Sequence, residues 1–120
     1  MKVINRLRKS EDFKKTIHKS LYAQTDSYAI HVKENDLDHM RIGISTSKKL
    51  GNAVVRARVR RQIRSFFSVY NIYKKNYDIV IVVKGGYLNH TYLENKDALK
   101  ENLDFLINKG DSRKHNEEKN

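Results

Sequence analysis

Residues 47–73 read SKKLGNAVVRARVRRQIRSFFSVYNIY, and the architecture turns on whether this stretch is a helix and on what its two sides meet. Gly51 supplies a sharp turn, and Asn52 offers a side-chain acceptor to the first free amides of a helix. At about 100° per residue, Val55, Val59, Ile63, Phe66, Phe67 and Tyr70 gather into one stripe. The spacing therefore predicts an amphipathic helix packed on a sheet. Arg60, Arg61 and Arg64 lie across from the stripe, Arg58 on its far flank and Arg56 at the apolar boundary. Arg60 and Arg64 repeat one sign at i,i+4, which costs about 0.2–0.5 kcal/mol where an opposite pair would gain it. This face is not arranged for helix stability.

Upstream, SEDFKKTIHKS (10–20) predicts a first helix, with Ser10 as its cap and Glu11 and Asp12 at its positive end. Phe13 and Ile17 stand one turn apart on it, a spacing that suits either core packing or a ligand platform. In SYAIHV (27–32) Tyr28, Ile30 and Val32 share a face, and in MRIGIS (40–45) Met40, Ile42 and Ile44 do the same. The polar, turn-like KENDLD between them predicts two antiparallel neighbours. DIVIVV (78–83) does not alternate, as suits a central strand covered on both faces. KGGY (84–87) is too short to cradle a phosphate and reads as a turn. TYLE (91–94) has capping-box spacing, and Leu99, Leu103, Leu106 and Ile107 continue it as a third helix with Gly110 as its stop. The expected organisation is one α+β domain over 1–109, followed by a flexible polar tail over 110–120.

The chain has 120 residues and no cysteine, so disulfide, zinc–thiolate and thiol chemistry are excluded and a reducing cytoplasm fits. No apolar run approaches the ~20 residues of a membrane helix, and MKVINRLRKS lacks the apolar segment of a signal peptide. A soluble cytoplasmic protein without a membrane partner is expected. The net charge of +11 is unevenly placed. Residues 1–38 carry eight Lys/Arg against six Asp/Glu, 39–77 ten against none, and 78–120 seven against eight. Ten like charges in one segment of a small domain call for a polyanion. Arginine's planar fork engages phosphate bidentately, and Lys48 and Lys49 precede a helix N-terminus whose free amides favour anions. Lipid fits least, because the apolar stripe is committed to the sheet. Major-groove reading of DNA needs Asn or Gln among the arginines, where Gln62 is nearly alone. RNA, recognised by shape and backbone, leads. The five histidines show no metal-ligand spacing and the acids no paired-carboxylate motif, so a cofactor or metal held by the protein is not expected.

SKKLGNAVVRARVRRQIR resembles the signature of the protein subunit of bacterial ribonuclease P: S-K-K, an apolar residue, G-N-A-V, any residue, R-N-R, an apolar residue, K/R-R, two residues, R. It matches at Ser47, Lys48, Lys49, Leu50, Gly51, Asn52, Ala53, Val54, Arg56, Arg58, Arg61 and Arg64, with Arg60 in the place of the usual Lys. NRLRKSEDFKK, RIGIS and the strand at 78–83 extend the likeness over roughly 5–107. The resemblance implies a small α/β sandwich of about four strands and three helices with a left-handed βαβ crossover, against the usual hand. It implies a protein that binds a large catalytic RNA and helps it remove the 5′ leader from precursor tRNA, the RNA holding the Mg2+. Lys48, Lys49, Asn52, Arg56, Arg58, Arg60, Arg61 and Arg64 would then meet the RNA subunit, and Phe13, Ile17, Tyr28 and His31 would line a cleft for the single-stranded leader. Two departures stand out: Ala57 replaces the Asn of R-N-R, and Ile17 and His31 stand where rings are common. The alternatives are a ribosome-associated RNA-binding protein and a self-sufficient nuclease.

Overall fold

The computed structural model describes residues 5–67 and 75–119, with side chains as far as 114. The elements run α1 (Ser10–Ile17), β1 (Leu21–Gln24), β2 (Tyr28–Glu34), β3 (Arg41–Thr46), α2 (Ala53–Phe67), β4 (Tyr77–Val83) and α3 (Tyr92–Lys119). Short 3-10 turns at Lys48–Leu50 and Gly85–Asn89 precede α2 and α3. Tyr70, the last member of the predicted stripe, and Tyr73 fall outside the described residues.

The sheet order is β1-β2-β4-β3. β4 is central, as its unbroken apolar run requires, and nearly every residue in it is buried. The expected pairing of β2 with β3 is not formed. The two strands flank β4, β2 antiparallel to it (Ile30 opposite Ile81) and β3 parallel (Ile42 opposite Ile79). Residues 35–40 cross the start of β4, where Asn35 donates from its amide to the Asn76 carbonyl at 2.9 Å and the Asn76 side chain returns a bond at 3.2 Å. Crossing one strand spans only about 10 Å, well within six residues, so a hairpin-length connector does not imply a hairpin. β3, α2 and β4 thus form a parallel βαβ unit. β1, a strand that the sequence does not announce, pairs with β2, Leu21 opposite Val32.

One face of the sheet carries the core. Tyr28, Ile30 and Val32, Ile79 and Ile81 meet Val59, Ile63, Phe66 and Phe67 of α2 and Leu99, Leu103 and Leu106 of α3, all of them buried. Buried Asn95 ties α3 to β2: its Oδ1 accepts from Ser27 Oγ at 2.8 Å, its carbonyl accepts from Tyr28 Oη at 2.9 Å, and its Nδ2 donates to the Tyr87 carbonyl at 2.9 Å. The Thr91–Glu94 capping box forms reciprocally, at 3.1 and 2.9 Å. α1 lies against the opposite face over β2 and β4. Its N-cap is Lys9, without a side-chain cap bond, so Ser10 does not cap but is the first helical residue. The Arg41 guanidinium forks onto Asp78, Nε to Oδ1 at 2.9 Å and Nη2 to Oδ2 at 2.6 Å, and its Nη1 stands 3.6 Å from Asp12 of α1.

Gly110 does not stop α3, which continues to Lys119, so the expected polar tail begins as helix. A Cβ on Gly110 would come within 2.8 Å of Tyr77 Oη, so glycine is there for close approach and not for a left-handed turn. The polar residues beyond it provide the anchoring that the missing apolar ones do not. Asp111 accepts from Tyr77 Oη and Lys75 Nζ at 2.6 Å each, and Lys114 Nζ donates to Asn76 at 2.6 Å while standing 4.2 Å from the centre of the Tyr77 ring.

Candidate nucleic-acid interface

The turn into α2 is built as its sequence requires. Gly51 adopts φ +153°, a value side-chain-bearing residues rarely take, and a Cβ there would press on Val55 at 3.0 Å. Asn52 Oδ1 caps the helix by accepting from the Val55 amide at 3.0 Å. Leu50 is buried and pins the preceding turn, leaving Lys48 and Lys49 exposed beside the helix N-terminus. Val59, Ile63, Phe66 and Phe67 bury the apolar side of α2, while Val55 is partly buried.

The arginines divide into two groups. Arg58 and Arg61 are exposed, and Arg56, half-buried, reaches back to the Asn52 carbonyl at 3.4 Å. Arg60 and Arg64 are half-buried and lean toward β3, so they do not lie fully across from the stripe. Arg60 Nη1 donates to Thr46 Oγ1 at 2.7 Å. Burial first, and then the charges of Arg6, Arg60 and Arg8, hold the Arg64 pKa below its ordinary value. Among the described residues no carboxylate pairs with Lys48, Lys49, Arg56, Arg58, Arg60, Arg61 or Arg64. The acids that do pair among the described residues meet His39, Arg41, Lys75, His90 and Lys114. Gln62 does not face outward as a base reader; its Oε1 accepts from Tyr87 Oη at 2.8 Å.

The predicted cleft is assembled only in part. Phe13 is half-buried over Gly43, Ile17 is 41% exposed, and His31 is half-buried on the same sheet face as α1. Burial lowers the His31 pKa, and its Nδ1 lies 2.9 Å from Ser20 Oγ. Tyr28 does not belong to this cleft. It is fully buried on the opposite face, edge-on to Tyr87, because residues 28 and 31 are an odd number apart in a strand and must point opposite ways. The ring that does accompany His31 is Tyr22 of β1, 51% exposed, with centroids 4.9 Å apart. Its cross-strand register opposite His31 places it there, and a four-residue strand shows too little alternation to reveal that register in advance.

Among the described residues no group of three or more His, Cys, Asp or Glu is placed to hold a metal ion, and no helix is long and apolar enough to cross a membrane. No carboxylate among them hydrogen-bonds His31, so Ser20 and His31 do not extend to a hydrolytic triad.

A mixed sheet with an arginine helix that has no carboxylate partner among the described residues on one side and a partly open aromatic cleft on the other defines a small α+β protein that presents a surface for a polyanion. The model of the family described as Ribonuclease P matches residues 1–107, and the chain belongs to that family. It is 36% identical over 100 residues to the ribonuclease P protein component of Alkaliphilus oremlandii, covering 82% of this chain and 88% of that one. It is 33% identical over 95 residues to that of Staphylococcus aureus, covering 78% and 83%. The fold superposes on the S. aureus RNase P protein with a TM-score of 0.77 at 31% identity, covering 84% of this chain and 94% of that one. The Thermotoga maritima RNase P protein, at 24% identity, shares the fold with a TM-score of 0.70 over 84% and 94%.

Proposed function

We propose that this chain is the non-catalytic protein subunit of a ribonuclease P holoenzyme, an endoribonuclease that removes the 5′ leader from precursor tRNA. The RNA subunit lies against the α2 face and meets Lys48, Lys49, Arg56, Arg58, Arg60, Arg61 and Arg64. Asn52 serves by capping that helix. The leader runs through the cleft between α1 and the sheet, against Phe13, Ile17, His31 and Tyr22. Base stacking on an aromatic ring contributes about 1–3 kcal/mol per base, so Phe13 and Tyr22 set most of the cleft's affinity. The Mg2+ ions belong to the RNA. The protein's cations offset phosphate repulsion around the leader and so raise local magnesium affinity without ligating it.

The observation that carries this reading is the set of seven cations at and before α2 that have no carboxylate partner among the described residues. An exposed like-charged helix face gains nothing for the isolated domain and is stabilised by phosphates. The test is precursor tRNA cleavage at limiting Mg2+, with RNA subunit alone, protein alone and both. Stimulation of the RNA by the protein, with none from the protein alone, is the expected result. Cleavage by the isolated protein would establish a self-sufficient nuclease. Absence of stimulation would point to a ribosome-associated role.

A further inference from the structure

The carbonyls that end α1 are claimed from outside the helix. An α-helix leaves the carbonyls of its last turn without an internal partner, and a helix of 8 residues is too short to be held by its own hydrogen bonds alone. Here those carbonyls belong to Lys15, Thr16, Ile17 and His18, because the last helical bond runs from the His18 amide to the Lys14 carbonyl at 3.1 Å. Lys33 of β2 reaches two of them. Its Nζ donates to the Lys15 carbonyl at 2.9 Å and to the His18 carbonyl at 3.0 Å. Lys19, in the left-handed region at φ 55°, turns the chain so that Ser20 returns to the helix end, and Ser20 Oγ donates to the Ile17 carbonyl at 3.1 Å.

Both ties lead to β2. Lys33 stands two residues beyond His31 and therefore on the same face of the sheet, the one against which α1 lies. With its proton directed at Ile17, Ser20 Oγ is left to accept from His31 Nδ1, 2.9 Å away. An ammonium at a helix C-terminus meets the negative end of the macrodipole as well as the free carbonyls, and its charge-assisted bonds are roughly twice as strong as neutral ones. The other end of α1 has no such device, since Lys9 at the N-cap makes no side-chain cap bond.

Lys33 differs from the cations around α2 in where its charge goes. Lys48, Lys49, Arg58 and Arg61 are exposed, whereas the Lys33 ammonium is engaged by protein carbonyls. Removing it acts through the position of α1, which carries Phe13 and Ile17, and not through a phosphate contact.

We propose that Lys33 is a positioning residue of the cleft: by binding the carbonyls of Lys15 and His18 it fixes the last turn of α1 against β2 and sets where Ile17 stands relative to His31. The consequence for RNA rests on the leader reading given above. A leader entering the cleft meets a wall already in place, so the turn is ordered on folding and not on binding, which favours affinity.

The test uses Lys33→Met, which keeps the aliphatic stem and removes the ammonium, Lys33→Arg as the conservative variant and Lys109→Met as a remote exposed control. Hydrogen exchange of the Thr16, Ile17 and His18 amides reads the last turn of α1 in the free protein. These amides should exchange about tenfold faster in Lys33→Met, with protection restored in Lys33→Arg and the β4 amides unaffected. In the holoenzyme, Lys33→Met should raise KM for a leader-bearing precursor by about threefold to tenfold, with kcat and the affinity for leaderless tRNA unchanged. The slope of log affinity against log salt should also stay as it is, and Lys109→Met should alter neither exchange nor KM. Lys33→Gln, neutral and shorter in reach, is read in the same way if Lys33→Met fails to fold.

A slope flattened by nearly one unit would mean that Lys33 itself touches a phosphate, and equal losses on leader-bearing and leaderless substrates would mean a purely structural role; either result overturns the proposal. Unchanged exchange in Lys33→Met overturns it too, while leaving the leader reading intact. If the unmodified protein does not distinguish leader-bearing from leaderless precursor, the leader reading fails and the positioning role falls with it, whatever the exchange data show about α1.

Discussion

The ring of Phe13 lies directly over the α-carbon of Gly43, so close that a Cβ added to the glycine would stand 2.4 Å from Cζ of the ring. The glycine lets α1 approach the sheet on the face that carries His31, with Val80 of β4 between the two in the register. Gly43→Val should push Phe13 off β3, destabilising the fold by about 1–3 kcal/mol through overpacking. In the holoenzyme it should weaken binding of a leader-bearing precursor while leaving affinity for leaderless tRNA unchanged. Comparing the two substrates checks this. Equal losses on both would mean that Phe13 is only core.

Gly110 illustrates where residue type misleads. A glycine after a run of helical leucines reads as a stop, yet here it is an interior helical residue backed against Tyr77. At an exposed interior position Gly→Ala would gain about 1 kcal/mol. Gly110→Ala should instead destabilise, because its Cβ displaces the hydroxyl that donates to Asp111 at 2.6 Å. Denaturant midpoints of the protein and the variant give the sign directly, and a raised midpoint would refute the packing argument.

What was legible in the sequence follows from how local each cause is. The α2 stripe as far as Phe67, the Asn52 cap, the Thr91–Glu94 box and the central apolar strand depend on neighbours within a few residues, and each is present. Strand order depends on partners far along the chain. Alternation identifies β2 and β3 but says nothing about what lies between them, so the insertion of β4 as their divider has no local signal. β1 and its Tyr22, and the reach of Lys33 to the carbonyls of α1, are likewise long-range. Tyr28 is different, since parity within one strand already separates it from His31. The hand of the β3–α2–β4 connection has no local signal in the sequence, and only the family resemblance implies it.

His90 and Asp26 set a pH-dependent clamp between the turn that leads into α3 and the turn before β2, with Nε2 2.7 Å from Oδ2. The hydrogen bond that His90 donates to Asp26 is the main cause that raises the His90 pKa above 6.5, and the same bond lowers that of Asp26 below 3.8. A raised histidine contributes stability that is fully present below its unfolded pKa of 6.5 and is lost as pH rises through the higher folded value. The depressed aspartate contributes above 3.8 and loses that contribution as pH falls through its lower folded value. Both act together between those limits. The melting-temperature difference between the protein and His90→Gln should therefore be greatest near pH 5–6 and fade above neutrality; a constant difference from pH 5 to 9 would exclude the clamp.

The contact between the α2 face and RNA has a signature that separates charge from helix stability. If about five of Lys48, Lys49, Arg56, Arg58, Arg60, Arg61 and Arg64 reach phosphates, the logarithm of the binding constant should fall against log salt with a slope of about −3.5 to −4.5. Arg61→Ala removes one exposed cation without touching the core, and Arg64→Ala removes a half-buried one; each should flatten the slope by a little under one unit. Asn52→Ala acts differently. It deletes the bond to the Val55 amide, costing about 1 kcal/mol of helix stability, and should lower affinity with the slope unchanged. A slope near zero in the unmodified protein would mean that the arginine face does not meet a polyanion at all, because counterion release accompanies any such contact whatever its sequence or shape.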